Sequence, residues 1–188
     1  MLSVRETVNS LYGAYRLARF DAGGLAFFDA SIGGFWRSFS AALIVAPPYA
    51  LLLTMRFHEG LGEVGALRFA CVEAIAYVIA WVAFPLLMVW LTRLFGRQGH
   101  YLRYIVAYNW AGVLQYGLYL PLDMLAVGGV IARGPSDALA VIVFGLILVY
   151  TWFIARAALD LNAAAAAGIV TLDLVLSLFI SAVTKNML

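Results

Sequence analysis

The sequence predicts an all-α fold: a polytopic membrane helix bundle with five transmembrane helices and an N-terminal amphipathic surface helix. Three observations predict it. Hydrophobic residues make up 65% of the 188 and charged residues only 12%, where soluble domains hold about 45–50% and about 25%. A soluble chain of this length has too small a core to hide that much apolar surface. Five apolar runs, near 36–55, 69–92, 104–122, 138–156 and 163–184, each approach the roughly 20 helical residues that cross about 30 Å of hydrocarbon. The runs are far too long for barrel strands, and lipid offers free backbone groups no partner, so helices are the element that fits.

The N-terminal element comes first. Ser3 and Glu6 form an S-x-x-E capping box, which satisfies free N–H groups at a helix start. Val4, Val8, Leu11, Tyr12 and Tyr15 then recur at helical spacing, a stripe expected either to enter the membrane interface or to pack on the protein's own loops. Arg5, Arg16 and Arg19 are placed to meet anionic headgroups. The start of the chain lacks the continuous apolar core of a signal peptide, so insertion is expected to rely on the later segments. Gly23-Gly24 and Gly33-Gly34 break the chain around LAFFDAS, with Phe27, Phe28, Phe35 and Trp36 expected at headgroup level. Arg37 is expected to snorkel toward phosphate. The organisation is therefore a cytoplasmic interfacial segment, 1–34, followed by a five-helix transmembrane domain, 35–188.

Basic residues orient the spans. Arg5, Arg16, Arg19, Arg37, Arg93, Arg97, Arg103 and Arg156 fall on one side, against Arg56, Arg68, Arg133 and Lys185 on the other, where Glu59 and Glu63 also lie. The N-terminus is thus expected in the cytoplasm and the C-terminus outside, most simply in a bacterial inner membrane. Pro47-Pro48, Pro85 and Pro121 interrupt three spans. Each removes a backbone N–H and is expected to kink its helix. The glycine-broken run LDMLAVGGVIARG after Pro121 is expected to cap the third span at the outer interface.

The fifth span carries an anomaly, Asp173 among leucines and valines. Neighbours on one helical face lie three, four or seven residues apart, and that face reads Asn162, Ala166, Asp173, Ser177, Ser181, Thr184. A polar or small stripe of this kind faces other helices. The third span supplies a matching one, Tyr101, Tyr104, Tyr108, Gly112, Gln115 and Tyr119, flanked by Asn109 and Tyr116. Tyr108, Asn109 or Gln115 is expected to donate to the Asp173 carboxyl, with Gly112, Ala163, Ala167 and Gly168 letting the two helices approach. An aspartate at mid-helix costs about 2.5–3.5 kcal/mol on insertion and each Leu, Ile, Val or Phe returns about 0.3–0.6. The ten such residues between Ile169 and Val183 therefore carry it in, with little margin. No Lys or Arg lies at that depth, so an uncharged, hydrogen-bonded carboxyl is expected. Glu73 and Asp123 are read as lying toward the outer surface, Glu73 within reach of Arg68 or its helix cap, and Asp160 in the inner turn beside Arg156.

Other chemistries lack support. His58 and His100 fall on opposite sides, and no Cys/His/Asp/Glu spacing suggests a metal. Cys71 is the single cysteine, which excludes an intrachain disulfide. No G-x-S-x-G, H-E-x-x-H or Walker pattern occurs, so neither catalytic residues, a cofactor nor enzyme activity is expected. A net charge of +2, scattered along the chain, is too small for a nucleic-acid surface. The partners expected are membrane lipids and either a second copy of the chain or other membrane proteins.

The turn LFGRQGHYLRY after the second span, the tyrosine-rich YIVAYNWAGVLQYGLYLP ending in proline, and the small-residue start LNAAAAAGIV of the fifth span resemble the Yip1-like membrane family. That resemblance covers the chain from about residue 35 onward. It implies a cytoplasmic N-terminal segment followed by five spans with short connections. The eukaryotic members carry a D-L-Y-G-P motif and act in vesicle traffic with small GTPases; the motif is missing here, so the architecture is carried over and the GTPase partner is not. Two functions are expected, the first as the main reading, in which Asp173 makes a structural hydrogen bond that fixes helix pairing, and the second as its alternative. One is a non-enzymatic scaffold or interaction protein that exposes Trp81, Trp90 and the Ala76/Ala80 ridge. The other is a small proton- or cation-linked transporter or channel with a cavity reaching Asp173.

Overall fold

In the computed structural model, which describes residues 3–60 and 65–188, seven α-helices form an all-helical bundle with no strand among the described residues. Four segments are long and apolar enough to cross a membrane: Ile32–His58, Ala66–Leu94, Gly134–Leu159 and Ala163–Met187. The expected Glu63 lies outside the described residues.

Helix α1, Val4–Ala18, starts as its capping box requires, with the Ser3 hydroxyl accepting from the Glu6 N–H at 3.1 Å. Its inward face is Ser10, Gly13, Ala14 and Leu17, while Val4, Val8, Tyr12 and Tyr15 are exposed. The predicted apolar stripe is thus divided: Leu11 packs against the core and Tyr12 against Phe27, while Val4, Val8 and Tyr15 are exposed. A 3-10 turn, Ala22–Phe27, folds back on α1 so tightly that a Cβ on Gly24 would sit 2.5 Å from the Gly13 carbonyl oxygen. Helix α2, Ile32–Ser38, is capped by the Ser31 hydroxyl and leads into α3, Ser40–Gly60. The core runs unbroken across the boundary at residue 34: Ala14, Leu17 and Phe28 share it with Ile105, Ile154 and Leu159.

Helix α4, Ala66–Leu94, and α5, Tyr101–Val127, flank the Gly-Arg turn. Helices α6, Arg133–Leu159, and α7, Ala163–Met187, complete the bundle. The helices continue through Pro47, Pro48, Pro85 and Pro121 without a break. The run after Pro121 is mostly helix: α5 continues to Val127, and the chain turns at Gly128 and Gly129, the latter at φ +67°. Asp160 ends α6 in the left-handed conformation, and the Asn162 side chain caps α7.

Helix α5 is the hub, packed against α1, α2, α3, α4 and α6. Tyr104, Ile105, Val106 and Ala107 are consecutive and all buried. At 3.6 residues per turn they point in every direction around the helix, so no face of this stretch meets the surroundings. Helix α7 packs instead against α6 and α4.

Candidate functional site

Asp173, ten residues into α7, is half-buried, and the Tyr108 hydroxyl of α5 donates to both of its carboxyl oxygens at 3.0 Å. The other two expected donors are committed elsewhere. Asn109 Nδ2 donates to Ser38 Oγ at 2.8 Å, tying α5 to α2. Gln115 Nε2 donates to Thr151 Oγ1 on α6 at 3.0 Å. The reason is distance between helices: because α7 packs on α6 and α4, only a side chain as long as tyrosine spans the gap from α5.

The small residues expected to close that gap face other ways. Gly112 makes room for Trp81 of α4, whose ring lies 3.4 Å from where its Cβ would be. Ala163, Ala167 and Gly168 are exposed, and Ala166, Ile169 and Val170 form the buried face instead.

What the gap leaves is a half-open cavity of about 230 Å³ in the middle of the bundle. Asp173 and Ser177 of α7, Tyr108, Gln115 and Tyr116 of α5, and Thr151 of α6 give it a polar wall, while Trp81, Phe144 and Leu148 give it an apolar one. Asn109 does not line it. Among the described residues no cation pairs with Asp173. The indole N–H of Trp81 and the hydroxyl of Tyr104 are buried without a protein partner. A carboxyl with one phenol donor beside a partly polar cavity can bind a proton or a small cation without first breaking an ion pair. Among the described residues no three His, Cys, Asp or Glu side chains cluster as a metal site.

Of the residues expected at the membrane surface, two have protein partners. Arg37 binds Glu6 at 2.7 Å and Asp29 at 2.5 Å, and Arg16 binds Asp21 at 2.5 Å. Arg37 is thus held by two carboxylates of the chain itself, Glu6 of α1 and Asp29 of the segment before α2. Arg19 lies over the Tyr15 ring at 5.9 Å, and Arg5 is exposed. The Asp21 and Asp29 carboxyls are both held below their ordinary value of 3.8, Asp21 chiefly by the Arg16 guanidinium and Asp29 chiefly by the Ser31 backbone N–H.

A second carboxyl has a partner other than the one expected. Glu73 was expected to use Arg68 or its own cap, but it accepts from the Tyr49 hydroxyl of α3 at 3.1 Å. Arg68 instead donates to the Met187 carbonyl at the end of α7. The i, i+5 spacing of Arg68 and Glu73 was the missed signal, since it puts the two on different helical faces. No protein-family model matches the chain, and neither does any curated protein or solved structure.

Proposed function

We propose that the chain is a five-span integral membrane protein in which Asp173 is the centre of a proton- or cation-linked transport site. The observation that carries this reading is the half-open cavity beside the Asp173–Tyr108 pair, apolar over most of its wall and polar where Asp173, Ser177, Gln115 and Thr151 line it. A hydrogen bond serving only to lock helices needs no such space beside it.

Helix α5 is the proposed fifth span, although it is less apolar than the other four. Tyr104 and Asn109 are buried and Tyr108, Gln115 and Tyr116 partly so among the helices around it, while Tyr119 is exposed, and its 27 residues reach about 40 Å. Charged contacts gather at two levels, which supports the same count. Arg97–Asp160 and Arg103 on the Ala158 carbonyl join the start of α5 to the end of α6, while Arg56–Asp123 and Arg68 on Met187 join the opposite helix ends. The excess of arginine at the first level supports a cytoplasmic N-terminus in a bacterial inner membrane. The exposed Val4, Val8 and Tyr15 of α1, with Arg5 and Arg19, support contact with the lipid interface.

The test is flux in proteoliposomes carrying an internal pH dye. The wild-type chain is expected to dissipate an imposed proton or monovalent-cation gradient several-fold faster than Asp173→Asn, which should insert and assemble normally. Equal rates for the two, or an Asn variant that fails to assemble, would remove the proposal. The second reading, a scaffold of the Yip1-like type, has less exposed surface than expected. Trp90 is 70% exposed and Ala80 is exposed, but Trp81 is buried against Gly112 and Tyr116.

A further inference from the structure

A larger groove of about 520 Å³ opens between α3 and α4, on the other side of Tyr77 and Trp81 from the Asp173 cavity. Ligand pockets for drug-sized molecules span about 300–1,000 Å³, a range that contains this groove and lies above the Asp173 cavity. Its walls are almost wholly apolar. Alanines at 46, 50, 66, 70 and 74 keep the two helices' facing side chains short and so create the space.

One wall carries Glu73, about 10 Å along α4 from its start. A carboxylate in such a wall is costly to insert, and an acyl chain filling the groove would return nothing for it. The arginines near that end are used elsewhere, Arg56 pairing with Asp123 and Arg68 holding the Met187 carbonyl, and His58 lines the groove beside Phe57. Glu73 keeps one donor, the Tyr49 hydroxyl, and that ring stacks on Tyr77 at 5.0 Å between centroids. Phe57 lies further out along the same groove, packed on Phe69 at 5.3 Å. Electron-rich ring faces around an acid select positive charge, and they do so most strongly where water is scarce.

We propose that the groove between α3 and α4 binds a lipophilic cation, an onium group on an apolar body, with Glu73 as counter-charge and Tyr49, Tyr77 and Phe57 as aromatic walls. The site is separate from Asp173 and does not depend on the transport reading.

Tetraphenylphosphonium is a suitable probe, and tetraphenylborate matches its shape with the charge reversed. Equilibrium dialysis on the purified full chain in neutral detergent, corrected for micelle partitioning, is expected to show saturable binding of the phosphonium. Glu73→Gln should weaken it at least tenfold, and the borate should bind at least tenfold more weakly than the phosphonium. Ala74→Leu leaves every polar group in place and narrows the groove, so it should also lower affinity. Unchanged binding in Glu73→Gln, unchanged binding in Ala74→Leu, or equal retention of the two ions would overturn the proposal. Binding lost in Asp173→Asn but kept in Glu73→Gln would overturn it too, by moving the cation to the other acid.

Discussion

The N-terminal cap and the middle of the bundle both hold carboxyl groups, and they satisfy them in opposite ways. In the cap Glu6, Asp21 and Asp29 each meet an arginine. In the bundle Asp173 and Glu73 each meet a tyrosine hydroxyl. A cation at mid-depth costs about as much to insert as the acid it would neutralise, about 2.5–3.5 kcal/mol, whereas tyrosine brings a donor on an apolar ring. The cap's acids are thereby committed to holding α1, the following turn and α2 together. The bundle's acids keep capacity for something else, which is why the two cavities that contain them are the candidate sites.

The cap half of that comparison breaks most easily at Gly34. A Cβ there would sit 1.9 Å from the Asp29 carbonyl oxygen and 2.8 Å from its carbon, both backbone atoms that side-chain rotation cannot move. Gly34→Ala is expected to cost about 2 kcal/mol or more, the upper part of the range for overpacking. Denaturation in mixed detergent micelles measures it. Gly99→Ala, outside the cap, is the control, because nothing lies within 4 Å of where its Cβ would be. Equal losses for the two alanines would mean that the Asp29–Arg37 knot does not form as described.

The bundle half is sharpened by Tyr108→Phe, a smaller change. It deletes the one donor to Asp173 and keeps the ring that packs on Phe84 at 4.9 Å. Hydrogen bonds between membrane helices average about 0.6 kcal/mol and reach about 1.7. A double-mutant cycle of Tyr108→Phe with Asp173→Leu should return a coupling in that range. A coupling near zero would leave only ring packing between α5 and α7.

The all-helical fold and the four apolar spans were legible because lipid imposes continuous hydrophobic runs, and 69–92 and 163–184 lie within α4 and α7. Asp173 was legible because it violates such a run. Its partner was narrowed to three residues at one depth, since depth follows from helical rise, but which of them donates depends on how α7 packs, and periodicity does not encode that. The small-residue argument failed for the same reason. Gly112 does admit a close neighbour, but the neighbour is Trp81 of α4. Glu73 was assigned to the nearest cation in sequence, where the fold offers a phenol from another helix. The cap's ion pairs were missed because Glu6 and Arg37 are 31 residues apart and belong to segments read as lying on lipid.

The smallest expected effect returns to the cap and concerns acid. Asp21 and Asp29 both titrate below their ordinary 3.8 in the folded chain, Asp21 mainly through Arg16 and Asp29 mainly through the Ser31 N–H. A carboxyl whose folded value is depressed binds its proton less readily than the unfolded chain does. Its contribution is therefore fully present above about pH 4 and is lost as the pH falls through the folded value. Both side chains are more than a third exposed, so solvent screens the gain and the loosening is local. Hydrogen exchange, corrected for the intrinsic rate at each pH, should show residues 21–38 losing protection below about pH 4 while α4 and α7 keep theirs. Asp29→Asn should carry the lowered protection already at neutral pH and respond less to acid. Protection of 21–38 that is flat down to pH 2, or lost together with that of α4 and α7, would mean that the cap is held by its glycine packing and ring contacts and that its ion pairs contribute nothing measurable.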